Sequence, residues 1–316
     1  MQPNNQILRN PVARALQILG DRSSMMIMRD VFLGRHRFKQ FLEHSNLTKG
    51  TLTARLESLV ANEVLCKKMY SEKPPRYEYR LTSKGKGLYS WALMIWQWES
   101  EWANNQEIGL PKNLTHNHDG GHVLLPVCLC RYCKTEVTEK NVKVVPIEID
   151  ESELDDQDAD QNIGKQRRVS GTKVGIKDNS LSHLIEIIGD RWSSLIVGAN
   201  LLGFKRFEDY QLQLGIASNV LAARLKVLTS LGVFDRVEYQ VKPTRYEYRL
   251  SRKGRALYGQ TMALRQWVLD YFPQVKDTQK LVHLECDTDL NVDVVCKICC
   301  EVPNPGDVDW DRKALS

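Results

Sequence analysis

The chain has 316 residues, of which 42% are hydrophobic and 26% charged, and its net charge is +5. That is the composition of a globular protein long enough for two domains. It excludes a bilayer-spanning helix, because no apolar run reaches the roughly 18 residues such a span needs, and Met1-Gln2-Pro3-Asn4-Asn5 lacks the pattern of a secretory leader. A reduced, cytoplasmic setting is therefore expected, where the eight cysteines would sooner hold metal than pair as disulfides. Glu148 to Asp160 carries eight carboxylates and no Lys or Arg, and setting those aside raises +5 to +13. A body that basic suits an anionic partner, with double-stranded DNA first.

In chain order, Pro11 to Leu19 is a short apolar-periodic helix and Asp21 to Leu33 a second. Phe38 starts a third, and a turn over His44 to Leu47 leads into a fourth. There Leu52, Leu56 and Leu59 form one inward stripe. Val64 to Tyr70 and Tyr77 to Thr82 alternate as two strands around a tip containing Pro74 and Pro75. Ser83-Lys84-Gly85 then opens a long helix with Trp91, Trp96, Trp98 and Trp102, and a Cys/His-rich tail follows. The same order returns 169 residues later. Gly20-Asp21-Arg22 becomes Gly189-Asp190-Arg191, the leucine stripe becomes Leu221, Leu225 and Leu228, and Arg76 to Leu81 becomes Arg245 to Leu250. In the second copy the turn before the fourth helix falls at Leu212 to Ile216. A constant offset this long marks a duplicated domain, each copy with its own core, and not a solenoid repeat.

The expected fold class is α+β, mainly α: two tandem winged helix-turn-helix domains, each followed by a small Cys/His-rich tail. The boundaries are 1–103 and 180–275 for the winged domains and 104–141 and 276–316 for the tails. Residues 142–179, rich in Asp, Gln and Lys, read as a flexible acidic linker.

Several motifs carry a resemblance. Gly189-Asp190-Arg191-Trp192, Leu201-Leu202-Gly203, Arg206-Phe207, Val220 to Leu225, Pro243 to Tyr248 and Lys253-Gly254 resemble the HxlR-type transcriptional regulators, which are related to the MarR group. The first copy matches through Gly20-Asp21-Arg22, Leu33-Gly34, Arg37-Phe38, Leu52 to Leu56, Pro74 to Tyr79 and Lys84-Gly85, and departs at Ser23, where Trp192 stands in the second. The resemblance implies a transcriptional regulator, more often a repressor, whose relatives commonly carry one such domain and dimerise through terminal helices. Here one chain would supply both reading heads.

On the fourth helix, Lys49, Thr51 and Thr53 lie near the outward N-terminal end, and Ser218 and Asn219 occupy that place in the second copy. These residue types can bond base edges in a major groove, or simply cap the helix. The two sets differ, so an asymmetric DNA site is expected. Lys73, Arg76, Lys242 and Arg245 on the hairpin tips are phosphate candidates, with an ordinary solvated tip as the plain alternative. Arg55 and Arg224 flank the buried stripe and would touch DNA or pair internally. The Trp-rich helices suit core or interface packing, with a pocket for a small-molecule inducer as the other use. A homodimer of the tandem chain would double the heads to four.

Seven of the eight cysteines follow the winged domains. The second tail reads His283-x2-Cys286-x9-Cys296-x2-Cys299, two pairs of soft donors suited to tetrahedral zinc, and longer HxlR-type proteins carry a similar tail. The first tail is degraded or rewired: it offers Cys130-x2-Cys133 with Cys128 nearby and His116, His118 and His122 upstream, and Asp119 stands at about the place of Cys286. A second site of two His and two Cys, with His116 and His118 as the candidates, could still close within that tail. A thiol-based redox response and unligated surface cysteines are the rival readings. Lone Cys66 reads as a small buried hydrophobe. No nucleophile–base set, paired carboxylates or phosphate loop points to an enzyme. The alternative to a DNA-binding regulator is a zinc-stabilised protein-interaction module of winged-helix fold.

Overall fold

The computed structural model describes residues 7–102, 110–145 and 183–310. After a single 3-10 turn, Ile7–Arg9, the first copy comprises α1 (Pro11–Leu19), α2 (Arg22–Phe32), α3 (Phe38–Ser45), α4 (Lys49–Ala61), β1 (Leu65–Ser71), β2 (Arg76–Leu81), α5 (Ser83–Gly87) and α6 (Tyr89–Trp102). Its tail forms β3 (Thr115–His116), β4 (His122–Val123), β5 (Pro126–Cys130) and β6 (Val142–Val145). The second copy repeats the order as α7 (His183–Ile188), α8 (Arg191–Leu201), α9 (Phe207–Leu214), α10 (Ser218–Ser230), β7 (Phe234–Val241), β8 (Thr244–Leu250), α11 (Arg252–Arg255) and α12 (Tyr258–Tyr271). The second tail is β9 (Lys280–His283), β10 (Thr288–Asp289), β11 (Val292–Cys296) and β12 (Val308–Asp309). Both copies are winged helix-turn-helix units, as expected.

Local chemistry explains the boundaries. Asp21 caps α2 by accepting from the Ser24 N–H at 3.1 Å, and Asp190 caps α8 by accepting from Ser193 at 2.9 Å. The Arg37 N–H donates to Gln40 Oε1 and the Arg206 N–H to Asp209 Oδ2, so α3 and α9 each start on a reach-back from their own first turn. Arg37 also bridges Glu78 and Arg206 bridges Glu247, adding a one-residue third strand to each two-stranded wing. A Cβ on Gly85 would lie 2.1 Å from the Val64 carbonyl oxygen, and one on Gly254 2.2 Å from that of Val233. Only glycine lets the wing's return strand turn so closely over the start of β1 and β7.

Five expectations need correction, four of them local. The second copy's turn is shorter than Leu212 to Ile216, because α9 runs on to Leu214 and Gly215 closes it in the left-handed region at φ 59°. The aromatic helix is divided, a short α5 ending at Gly87 with Leu88 as its cap before α6 begins. Cys66 is exposed, because it sits opposite Arg80 on the outer face of the wing. The first tail does not end at residue 141: Val142–Val145 pairs with Lys280–His283, and the remainder of the linker, 146–179, lies outside the described residues.

The two copies do not keep separate cores. One cluster of buried apolar side chains runs from Ile7 through both winged units into both tails. The halves meet about a pseudo-twofold axis on which residues touch their own repeat equivalents. Asp21 bridges Asp190, and Trp91 Nε1 donates to Gln260 Oε1 at 2.9 Å. Off the axis the contacts are reciprocal: Trp98 Nε1 donates to the Lys253 carbonyl at 3.1 Å, and Trp267 Nε1 to the Lys84 carbonyl at 2.8 Å. The α6 and α12 helices pack together at this seam. The chain therefore forms a covalent pseudo-dimer with an isologous interface.

Candidate nucleic-acid interface and metal centres

The fourth helix of each copy buries its leucines completely or nearly so: Leu52, Leu56, Leu59, Leu221 and Leu228 at 0% exposure and Leu225 at 1%. This fixes the rotation of α4 and α10, and Lys49, Thr51, Thr53, Ser218 and Asn219 consequently lie exposed toward their N-terminal ends. Thr48 caps α4, accepting from the Thr51 N–H at 3.2 Å. Ala217 leaves α10 without a side-chain cap, and Ser218 Oγ instead accepts from Gln211 at 2.6 Å. Ser218 and Asn219 are thus not capping residues.

The two arginines beside the stripe are held internally. Arg55 pairs with Asp21 at 3.2 Å and Arg224 with Asp190 at 2.8 Å. Each aspartate therefore both caps the second helix and fastens the fourth helix to it.

Lys73, Arg76, Lys242 and Arg245 are exposed at the wing tips, where Arg245 lies 3.7 Å from Glu208. The wings also carry basic groups that the pattern of the sequence did not single out. Arg37 stacks over Tyr70 at 4.5 Å and Arg206 over Tyr239 at 4.6 Å, both arginines exposed. Lys67 and Arg236 repeat the arrangement on Tyr77 and Tyr246. Their signal was the 169-residue offset itself, which keeps the cation in each pair and its aromatic partner.

The tails are interwoven. Three antiparallel ladders cross between them: β5 with β11, β6 with β9, and β3 with β12. In the first, Cys128 faces Val294 at the centre, with Pro126 opposite Cys296 at one end and Cys130 opposite Val292 at the other. This throws the two Cys-x2-Cys knuckles to opposite ends of a shared ribbon. In the other two, Val142 faces His283 and Val308 faces His116, so each knuckle meets histidine supplied by the other tail.

Two four-donor clusters result, in each of which the donor atoms lie within 4.8 Å of one another. One is His116, His122, Cys296 and Cys299, and the other Cys130, Cys133, His283 and Cys286. This corrects the expected grouping, in which each tail closed its own site. The reason is topological: spacing along one tail cannot report that the neighbouring strand belongs to the other. His118 is not a member; it lies beside Asp119 at 3.2 Å, and His122 takes the fourth place. Cys128, on the axis, is buried, which pushes its thiol up to about 12. Cys300 is exposed outside the clusters. Hydrogen bonding from Thr135 and backbone donors brings Cys133 down to about 6. Burial opposes the same change at Cys296, yet backbone donors and His122 bring it to about 6 as well.

A cavity lies in each half at equivalent places. The first, between α2, α6 and the tails, is lined by Met25, Met28, Phe32, Trp91, Trp96 and, from the second tail, Trp310. The second is also mainly apolar but carries more polar groups, because Ser194 replaces Met25, Thr261 replaces Ala92, and Arg265 replaces Trp96 and pairs with Asp277. No helix of the described residues is long and apolar enough to cross a membrane.

The fold and the exposed fourth helices define a protein of the winged helix-turn-helix class, built twice in one chain. The model of the HxlR-like helix-turn-helix family matches residues 18–107 and again 187–276, and the chain belongs to that family. It is 34% identical to an uncharacterized HTH-type transcriptional regulator of Mycobacterium tuberculosis over 44% of this chain and 92% of that protein. It is 30% identical to the uncharacterized HTH-type transcriptional regulator YtfH of Escherichia coli, over 29% of this chain and 74% of the relative. A solved Pseudomonas aeruginosa structure, described as a transcription factor, is 29% identical with a TM-score of 0.31, over 38% of this chain and 83% of that one. The family is one of DNA-binding helix-turn-helix transcriptional regulators.

Proposed function

We propose that this chain is a cytoplasmic, sequence-specific repressor that reads double-stranded DNA with α4 and α10 in successive major grooves. The observation that carries this reading is that both fourth helices bury their leucines and leave their N-terminal turns open to solvent. The wings grip phosphate through Lys73, Arg76, Lys242 and Arg245, joined by Arg37 and Arg206, while Arg55 and Arg224 orient the reading helices. Thr51 and Thr53 against Ser218 and Asn219 make the two half-sites unlike, so the operator is asymmetric, its halves centred about 10 base pairs or a multiple apart. One chain supplies both heads, and a homodimer is not needed to read two half-sites. The tails serve as structural zinc modules, since soft thiolate and imidazole donors in fours suit that ion.

A small apolar or aromatic inducer would enter the first-half cavity, because α2 both lines that cavity and packs on α4. Selection from random DNA, followed by anisotropy titrations, tests the main reading. An enriched two-part motif with affinity lost in Thr53→Ala and Asn219→Ala supports it. Weak binding that ignores sequence would favour an interaction module instead.

A further inference from the structure

We infer that the tails hold two zinc ions, each bound by two donors from each tail, so that metal cross-links the two halves of the chain. The inference rests on the structural-zinc reading above and adds which donors share each ion. Zinc with thiolate and imidazole ligands at about 2.3 and 2.0 Å has tetrahedral edges of roughly 3.3 to 3.8 Å. The clusters are already close to that figure. Cys299 Sγ lies 3.4 Å from His116 Nδ1 and Cys296 Sγ 3.2 Å from His122 Nε2. In the other cluster His283 Nδ1 is 3.3 Å from both Cys133 and Cys286, and Cys130 is 3.9 Å from Cys286. A redox pair would bring two sulfurs together and leave histidine aside; here each cluster aims four different donors at one point.

The pseudo-symmetry strengthens the assignment. His116 answers to His283 and the knuckle Cys130/Cys133 to Cys296/Cys299, and both clusters form by the same exchange. The one unequal pair is His122 and Cys286. The first site is therefore two His and two Cys, neutral once zinc has displaced both thiol protons. The second is one His and three Cys, with one net negative charge after losing three protons. All four donors are used in each, which leaves no open position and makes the sites structural. Because each ion takes ligands from both tails, loading adds a clamp between halves that already share a core and stiffens the separation of α4 from α10.

Metal content of the purified full chain decides the matter. Two zinc ions per chain are expected. The double variant His116→Ala with Cys299→Ala strikes one shared site and should keep one ion; so should Cys133→Ala with Cys286→Ala. The double variant Cys286→Ala with Cys299→Ala strikes both sites and should keep none. Cobalt substitution gives an independent readout: the first variant should retain a three-thiolate spectrum and the second a two-thiolate one. One ion retained in Cys286→Ala/Cys299→Ala, with none in the other two, would overturn the exchange while leaving zinc in place. A wild-type chain free of zinc after expression with zinc supplied would overturn both the inference and the structural-zinc reading, whatever its DNA binding.

Discussion

The double duty of Asp190 can be separated by two substitutions. Its carboxylate accepts from the Ser193 N–H at 2.9 Å, closing the N-terminus of α8, and pairs with Arg224 of α10 at 2.8 Å. Losing the cap costs about 1 kcal/mol. The ion pair is about a third exposed on each side, so solvent screening limits it to about 0.5 kcal/mol. Asp190→Ala should therefore lose about 1.5 kcal/mol of stability, whereas Asp190→Asn, whose amide oxygen can still cap, should lose about 0.5 kcal/mol. Urea unfolding followed by circular dichroism reads the difference directly, and the larger loss should lower the melting temperature by a few degrees. Arg224→Ala completes the test, since an internal role leaves the salt slope of DNA binding unchanged. Equal losses in Asp190→Ala and Asp190→Asn would refute the capping account. A salt slope reduced by about 1 in Arg224→Ala would instead place that guanidinium on phosphate.

Other perturbations reach the remaining parts of the molecule. Arg245→Ala should weaken binding to all sequences alike and reduce the salt slope by about 1, measured by anisotropy across a salt series. Substituting Ala92→Phe should fill the first-half cavity and abolish stabilisation by small aromatic compounds in a thermal-shift assay, while the matching change at Thr261 should leave that stabilisation intact. Stripping metal with a chelator should weaken binding to a two-half-site operator far more than to an isolated half-site, because only the former depends on a fixed separation of the reading helices. Trp98→Phe, which removes the indole donor to the Lys253 carbonyl but keeps an aromatic ring, should cost about 1 kcal/mol of stability in urea unfolding.

Much of the winged unit was legible because its signals are local. The leucine spacing fixed the buried face of α4 and α10, and the alternating tyrosines of Tyr77–Tyr79 and Tyr246–Tyr248 marked the wing. Boundaries were less legible where a single backbone conformation decided them, as at Gly215, or where a strand's outer face did, as at Cys66. The arginine–aspartate pairing and the wing cations needed the third dimension: Arg55 and Asp21 are 34 positions apart and no periodicity joins them.

The metal donors make the sharpest case. Seven of the eight residues in the two clusters were identifiable as ligand types, and His122 was visible beside His118, yet their grouping followed from pairing between tails. In a homodimer the same exchange would be made between two chains, and each site would depend on protein concentration. Duplication within one chain removes that dependence, because the donors are tethered and their effective concentration no longer falls on dilution. It also frees the equivalents to diverge. Met25 against Ser194, Trp96 against Arg265 and Thr53 against Ala222 are differences that a symmetric dimer cannot hold, and so is a fourth donor that is His122 in one cluster and Cys286, from a different place in its tail, in the other. A tandem chain of this kind can therefore carry two unlike exposed helix ends, two unlike cavities and two unequal donor clusters, while the reciprocal Trp98 and Trp267 contacts preserve the twofold frame on which all of them are mounted.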